Sequence, residues 1–182
     1  QSFKAHSQSP FSVCMDRWMS YGELDQLSAA LGSWFQSQGL EPGSRIAIML
    51  PNLPQFAVTM AAVLRAGYTC VNVNPLYTAR ELEHQLKDSG ATTIVILENF
   101  AHTLSQVIDH TPIQRVVITS LGDLLGAVYG RWMTFAVRHL AKLVPAFEIS
   151  LAHGRQVTSF KAALADGQKW PLKSVPQNLD DI

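Results

Sequence analysis

Apolar and polar positions along this chain follow two periods, and the changes of period mark its elements. Ile46-Ala47-Ile48-Met49-Leu50 is an unbroken apolar run, as expected of a strand buried on both faces. Pro51 ends it, and Asn52 is placed to cap a helix that begins near Pro54, continues to about Ala66 and stops at Gly67. Over Thr69–Asn74, Val71 and Val73 alternate with Asn72 and Asn74, a period-two strand that Pro75 terminates because it has no N–H to donate. Thr78 and Glu81 form a capping box ahead of a helix over Ala79–Ser89. Leu82 and Leu86 share its inner face, and Gly90 supplies the left-handed residue that stops it. Thr93–Leu97 is a third buried strand. Asn99 then caps a helix through about His110, with Leu104, Val107 and Ile108 inward, and Val116-Val117-Ile118 is a fourth strand.

Upstream, Phe11–Asp16 reads as a weak strand, and Arg17–Met19 turns into a helix opened by Ser20 with Glu23 as its capping-box partner. Leu24, Leu27, Leu31, Trp34 and Phe35 fall on one face of that helix, Gly39 closes it, and Glu41-Pro42-Gly43-Ser44 is a turn. Strand and helix alternate from Arg45 to Thr119 with short connections. That predicts an α/β fold with a mostly parallel sheet flanked by helices. The chain divides into a βα-repeat core (11–120), a helical, partly amphipathic segment (121–167) and an irregular stretch (168–182). Within these, 121–147 reads as one long apolar and basic helix. Phe160–Ala165 reads as a short helix capped by Ser159 and ended by Gly167, and Asn178–Ile182 as the lead-in to another strand.

Composition narrows the class. Hydrophobic residues make up 47% of the 182 and charged residues 15%, which is globular rather than disordered. Fourteen basic groups balance fourteen acidic ones, and the balance holds in each half, so no bulk charge directs the chain to nucleic acid. Cys14 and Cys70 are the only cysteines. That suits a reducing compartment and argues against a disulfide framework or a zinc site. No apolar run approaches the roughly 18 residues of a membrane span, and Gln1–Pro10 has no signal-peptide core, so the expected location is the cytoplasm.

Ligands of open parallel sheets bind beyond the carboxyl ends of the strands. Those ends are Pro51-Asn52, Asn74-Pro75, Glu98-Asn99 and Thr119-Ser120. None is glycine-rich, and no G-x-G-x-x-G, G-x-x-x-x-G-K-[ST] or G-x-S-x-G motif occurs. The six histidines show no metal-ligand spacing, and His84 and His102 read as exposed or edge residues. Asp180-Asp181 reads more simply as a solvated pair than as a cation site. Asn52, Asn74 and Asn99 could line a ligand crevice, but capping and turn formation account for them more simply. The local candidate is Gly130–Val144. As a helix it puts Trp132, Phe135, Ala136, Leu140 and Leu143 on one side and Arg131, Arg138 and Lys142 on the other, with no acid between residues 124 and 147. Two readings remain open: a membrane-surface contact through Arg131, Trp132, Phe135, Arg138 and Lys142, or a peripheral helix that packs its apolar side on its own sheet.

Several segments together resemble the N-terminal part of adenylate-forming acyl-CoA synthetases, and more narrowly the bacterial long-chain-fatty-acid–CoA ligases. They are Met19–Leu24, Gly43–Asn52, Leu64–Gly67, Val71–Thr78 with Arg80-Glu81-Leu82, Asp88–Ala91 and Asn99–Leu104, and the Asp123–Pro145 segment is similar as well. The resemblance implies an enzyme that uses ATP and Mg²⁺ to form an acyl-adenylate from a long-chain fatty acid, after which CoA displaces AMP. It also implies a parallel-sheet scaffold beside the acyl pocket, with a part in dimer contacts. Asp180-Asp181-Ile182 matches the lead-in to that family's phosphate loop. The loop, the adenine-binding motif, the metal-binding Glu, the ribose-binding Asp and the catalytic Lys have no counterpart here, so no catalytic, cofactor or metal residue is assigned. The expectation is a truncated N-terminal subdomain that is inactive without the remainder of the ligase chain, cytoplasmic or peripheral on the inner membrane. The alternative is a stand-alone interaction domain acting through 130–144.

Overall fold

The computed structural model describes residues 2–173 and 175. After a four-residue turn of helix, α1 (Ser2–Ala5), the chain forms a β-hairpin from β1 (Pro10–Cys14) and β2 (Arg17–Ser20). The sequence reading had one weak strand and a turn here. What it missed is that Met15 and Asp16 both adopt positive φ, the backbone of a tight two-residue hairpin turn that residues other than glycine and asparagine rarely signal. Ser20 then caps α2 (Tyr21–Ser37), accepting from the Glu23 N–H while Glu23 accepts from the Ser20 N–H, the expected capping box.

Five parallel strands follow: β3 (Arg45–Met49), β4 (Thr69–Asn72), β5 (Thr93–Leu97), β6 (Arg115–Thr119) and β7 (Gln156–Ser159), in the spatial order β4-β3-β5-β6-β7. Strand alternation divides the core in two. Ile46, Ile48, Val95 and Val117 face one way, against Leu31, Phe35, Val58, Val63 and Phe160 of α2, α3 (Pro54–Arg65) and α7 (Phe160–Gly167). Ala47, Met49, Ile94, Ile96 and Val116 face the other, against Leu82 and Leu86 of α4 (Ala79–Ser89) and Leu104 of α5 (Ala101–Ser105). Leu82, Leu86, Leu104 and Ile108 are fully buried as expected, each contributing roughly 2–3 kcal/mol of apolar burial. The Thr78–Glu81 box caps α4 as read, holding the Glu81 carboxyl below its usual range chiefly through the Thr78 backbone hydrogen bond. Gly90 ends α4 at φ 64°.

Four expectations need correction. Asn52 does not cap α3: Leu53 occupies that position without a side-chain hydrogen bond, and Pro54, which needs no N–H partner, begins the helix. Asn99 does not cap a long helix. Residues 98–110 form a 3₁₀ turn, the short α5 and a second 3₁₀ turn (Ile108–His110), and the Asn99 amide donates instead to the Leu143 carbonyl at 2.9 Å. Residues 121–147 are not one helix: only α6 (Ala127–Phe135) and a π-helical turn (Ala136–Leu140) are helical. Finally, β7 is a fifth strand in a polar stretch that showed no strand signal.

Arg155 explains how β7 is held. Its guanidinium is buried and donates to Ile108 O, Ile113 O and Ser150 O and to Asp109 Oδ1, tying the β5–β6 connection to the start of β7. Hydrogen bonding from Ser150 and then Arg155 keeps the Asp109 carboxyl below its ordinary range. β7 leads directly into α7, whose N-cap Ser159 accepts from the Ala162 N–H. The stretch Asn178–Ile182, including Asp180-Asp181, lies outside the described residues.

Candidate functional site at the carboxyl ends of the strands

The last residues of β5 and β6 deliver a cluster of polar groups to one end of the sheet. Glu98 directly follows β5 and is only 2% exposed. Arg138, from the π-helical turn, donates to its Oε2 through Nε at 2.8 Å and Nη2 at 2.5 Å, and reaches Ser120 Oγ at 3.4 Å. Glu98 Oε1 meets no donor among the described residues. Gln55, buried in the first turn of α3, donates to Ser120 O at 3.0 Å. Asp123 Oδ2 accepts from Thr119 Oγ1 and from the Ser120 N–H, each at 2.9 Å, while Oδ1 pairs with Lys161 at 3.2 Å. A cleft of about 350 Å³ opens over this cluster, lined by Arg131, Phe135 and His139 of the helix and by Lys161 across from them.

The arrangement is close to charge-balanced: Glu98 is matched by Arg138 and Asp123 by Lys161, leaving Arg131 and His139 on the rim. The neighbour of Ser120 Oγ is a guanidinium, which cannot take a proton from it, so Ser120 is not an activated nucleophile. A larger depression of about 660 Å³, around Pro42, Arg45 and Gly90, lies at the amino ends of the strands and is wide open. Parallel sheets bind ligands at the opposite end, so it is not taken as the site.

Helix α6 sits beside the cleft in an orientation opposite to simple packing on the sheet. The contact with the body is made by Gly130 and Val137. Gly130 and Gly122 touch through their backbones, since a Cβ on either would lie 2.0–2.1 Å from the other's carbonyl oxygen. Of the predicted contact residues, Arg131, Trp132, Phe135 and Lys142 are exposed, Arg131 and Phe135 along the edge of the cleft, and Arg138 is turned back onto Glu98. The expectation that Arg138 shares a free basic face is thereby corrected. Glu98 was read only as part of a strand end and not as a buried charge; its signal is an acid that follows the apolar run Ile94–Leu97 with no polar spacer. Asn74 accepts from the Leu76 N–H, a turn-forming role as read, and His84 and His102 are exposed.

The Cys70 thiol sits in a perturbed environment. Burial pushes it up to about 11. Its alkylation by iodoacetamide at pH 8 should therefore be about 100-fold slower than that of a free cysteine peptide, rising about tenfold per pH unit up to pH 10. Mass spectrometry of the Cys70 peptide checks this, and a rate matching the free peptide at pH 8 contradicts it.

Comparison with known proteins places this architecture. The family model described as "AMP-binding enzyme" matches residues 1–140, and the chain belongs to that family. A long-chain-fatty-acid–CoA ligase of Escherichia coli O157:H7 is 44% identical over 98% of this chain, and one of Bacillus subtilis is 38% identical over 52% of it. The chain spans about a third (32%) of the Escherichia coli relative's length. Among solved structures, a long-chain-fatty-acid–CoA ligase from Archaeoglobus fulgidus superposes with a TM-score of 0.57 at 23% identity, covering 81% of this chain and 30% of the other. The adenylation domain of a carboxylic acid reductase from Segniliparus rugosus gives 0.66 at 19% identity, covering 88% and 24%. These structures share the fold. The ATP, Mg²⁺ and CoA that the family implies do not fit the described residues: no strand end carries a glycine-rich turn, and no group of three metal-ligating side chains occurs among them.

Proposed function

We propose that this chain is the amino-terminal α/β scaffold of an ATP-dependent long-chain fatty acid–CoA ligase, and that alone it forms neither the acyl-adenylate nor the thioester. The observation carrying this is the 44% identity maintained over 98% of the chain to a relative of that name, of which it spans 32%. Its strand ends hold polar side chains in place without the backbone N–H nest that a pyrophosphate requires. ATP, Mg²⁺, CoA and the fatty acid are thus ligands of the longer protein, whose remaining segments supply the reacting groups, and the protein works in the cytoplasm. An ATP–pyrophosphate exchange assay with palmitate and Mg²⁺ tests the reading. No exchange is expected from residues 1–182, and palmitoyl-CoA formation is expected from the full-length protein. Robust exchange by the 182-residue chain, or no thioester from the longer one, overturns it.

A further inference from the structure

Glu98 Oε1 and Asn99 Oδ1, on adjacent residues just after β5, are buried and meet no donor among the described residues. The remaining polar atoms of the same two side chains are spent on one segment, 136–146. Arg138 Nε and Nη2 both donate to Glu98 Oε2, at 2.8 and 2.5 Å, and the Asn99 amide donates to Leu143 O at 2.9 Å. Three residues on, His102 Nδ1 meets Ala146 O at 2.9 Å. We propose that residues 136–146 form a strap that opens and closes as one unit over the carboxyl ends of β5 and β6, and so gates the cleft at Ser120.

Little apolar surface holds the strap down. From residue 136 to residue 148 only Val137 is buried. Its two ends are fixed to the body. Gly130 is pressed against Gly122 before it, and Phe147 and Ile149 pack on the second core after it. Between those anchors every side-chain tether named above lands on the short stretch 98–102, so the tethers are made and lost together.

The closed strap also carries penalties that the open one does not. A buried acceptor without a donor loses its water and gains nothing in return, whereas opening lets water reach Glu98 Oε1 and Asn99 Oδ1. Lys142 sits at φ 52°, a conformation that opposes a lysine side chain and that opening relaxes. The tethers and Val137 therefore work against unmet hydrogen bonds and a strained backbone, which makes closure an equilibrium. Opening withdraws Arg138 and His139 from the cleft wall and uncovers Glu98 and Ser120, which are 2% and 9% exposed when it is closed.

Backbone hydrogen exchange tests the proposal on both the 182-residue chain and the full-length protein. The Ala141 and Leu143 amides, bonded to Ala136 O and Val137 O, should report one common open fraction. They should exchange on the order of 100-fold faster than the amides of Ile96 and Val117 in the central strands. Asn99→Ala removes the bond to Leu143 O, and His102→Ala removes the bond to Ala146 O. Each should speed exchange at Ala141 and Leu143 alike by about fivefold, the weight of one hydrogen bond, with Ile96 and Val117 unchanged. Acceleration confined to the amide nearest the lost bond, or no acceleration, overturns the proposal. Exchange of the strap amides at the rate of the central strands, in either protein, overturns it too. Ser120→Cys reads the gate itself. Its alkylation by iodoacetamide, followed on its own peptide by mass spectrometry, should quicken by the same factor when Asn99→Ala is added. An unchanged rate would show that the strap moves without opening the cleft, and the gate would be lost.

Discussion

Arg138→Met is expected to destabilise the chain by about 2–3 kcal/mol, because it leaves the Glu98 carboxylate buried without its cation. A fully enclosed pair broken in this way costs about 3–5 kcal/mol. The lower figure applies because 47% of the Arg138 side chain is in water while only 2% of Glu98 is. In a chain of this size that corresponds to a fall in Tm of roughly 4–12 °C, measurable by circular dichroism. The partner change supplies the control. Glu98→Gln removes the charge that needs compensation, so Arg138→Met/Glu98→Gln should be more stable than Arg138→Met alone. Additive losses in the double variant would show that the two side chains are not coupled. Release of Arg138 also loosens α6, so limited proteolysis near 136–146 should accelerate in the single variant.

Gly167→Ala is expected to cost about 3 kcal/mol. A Cβ there would lie 1.9 Å from Ala30 O and 3.0 Å from Trp34 Cβ. The obstacle is the backbone in the middle of α2, which cannot rotate away as a side chain could. Alanine's better helix propensity returns less than about 1 kcal/mol, so the clash decides the sign. Gly130→Ala meets a similarly close atom, Gly122 O, but that oxygen belongs to a turn rather than to a helix. The turn yields more easily, and the smaller loss falls on the placement of α6. Urea unfolding of Gly167→Ala measures the difference, and an unchanged midpoint would mean that α2 and α7 are not in backbone contact.

Which elements were legible in the sequence follows from where their stabilisation comes from. The runs 46–50 and 94–97 are apolar at every position because both faces of a central parallel strand are covered. The Ser20–Glu23 and Thr78–Glu81 boxes are local chemistry and were read without tertiary information. β7 was invisible because an outer strand with polar residues is specified by its pairing with β6 and by Arg155 rather than by its own pattern. The Met15-Asp16 turn lacks the glycine or asparagine that ordinarily marks positive φ. Asn52 and Asn99 were misplaced because the helices beside them begin with Pro54 and with a 3₁₀ turn. The two sides of α6 could be told apart from periodicity, but not which of them meets the body. That is set by the Gly122–Gly130 approach, and the glycines themselves were the available clue.

The packing of α7 on α2 bears on how the chain is made. Ala30 and Gly167 touch across 137 intervening steps of sequence. A ribosome adding about 5–20 residues per second leaves the α2 surface without that partner for roughly 7–30 s after it emerges. In that interval Leu31 and Phe35 have only α3 and the first strands for cover. Nascent chains stalled before residue 160 should therefore be the species most in need of a chaperone.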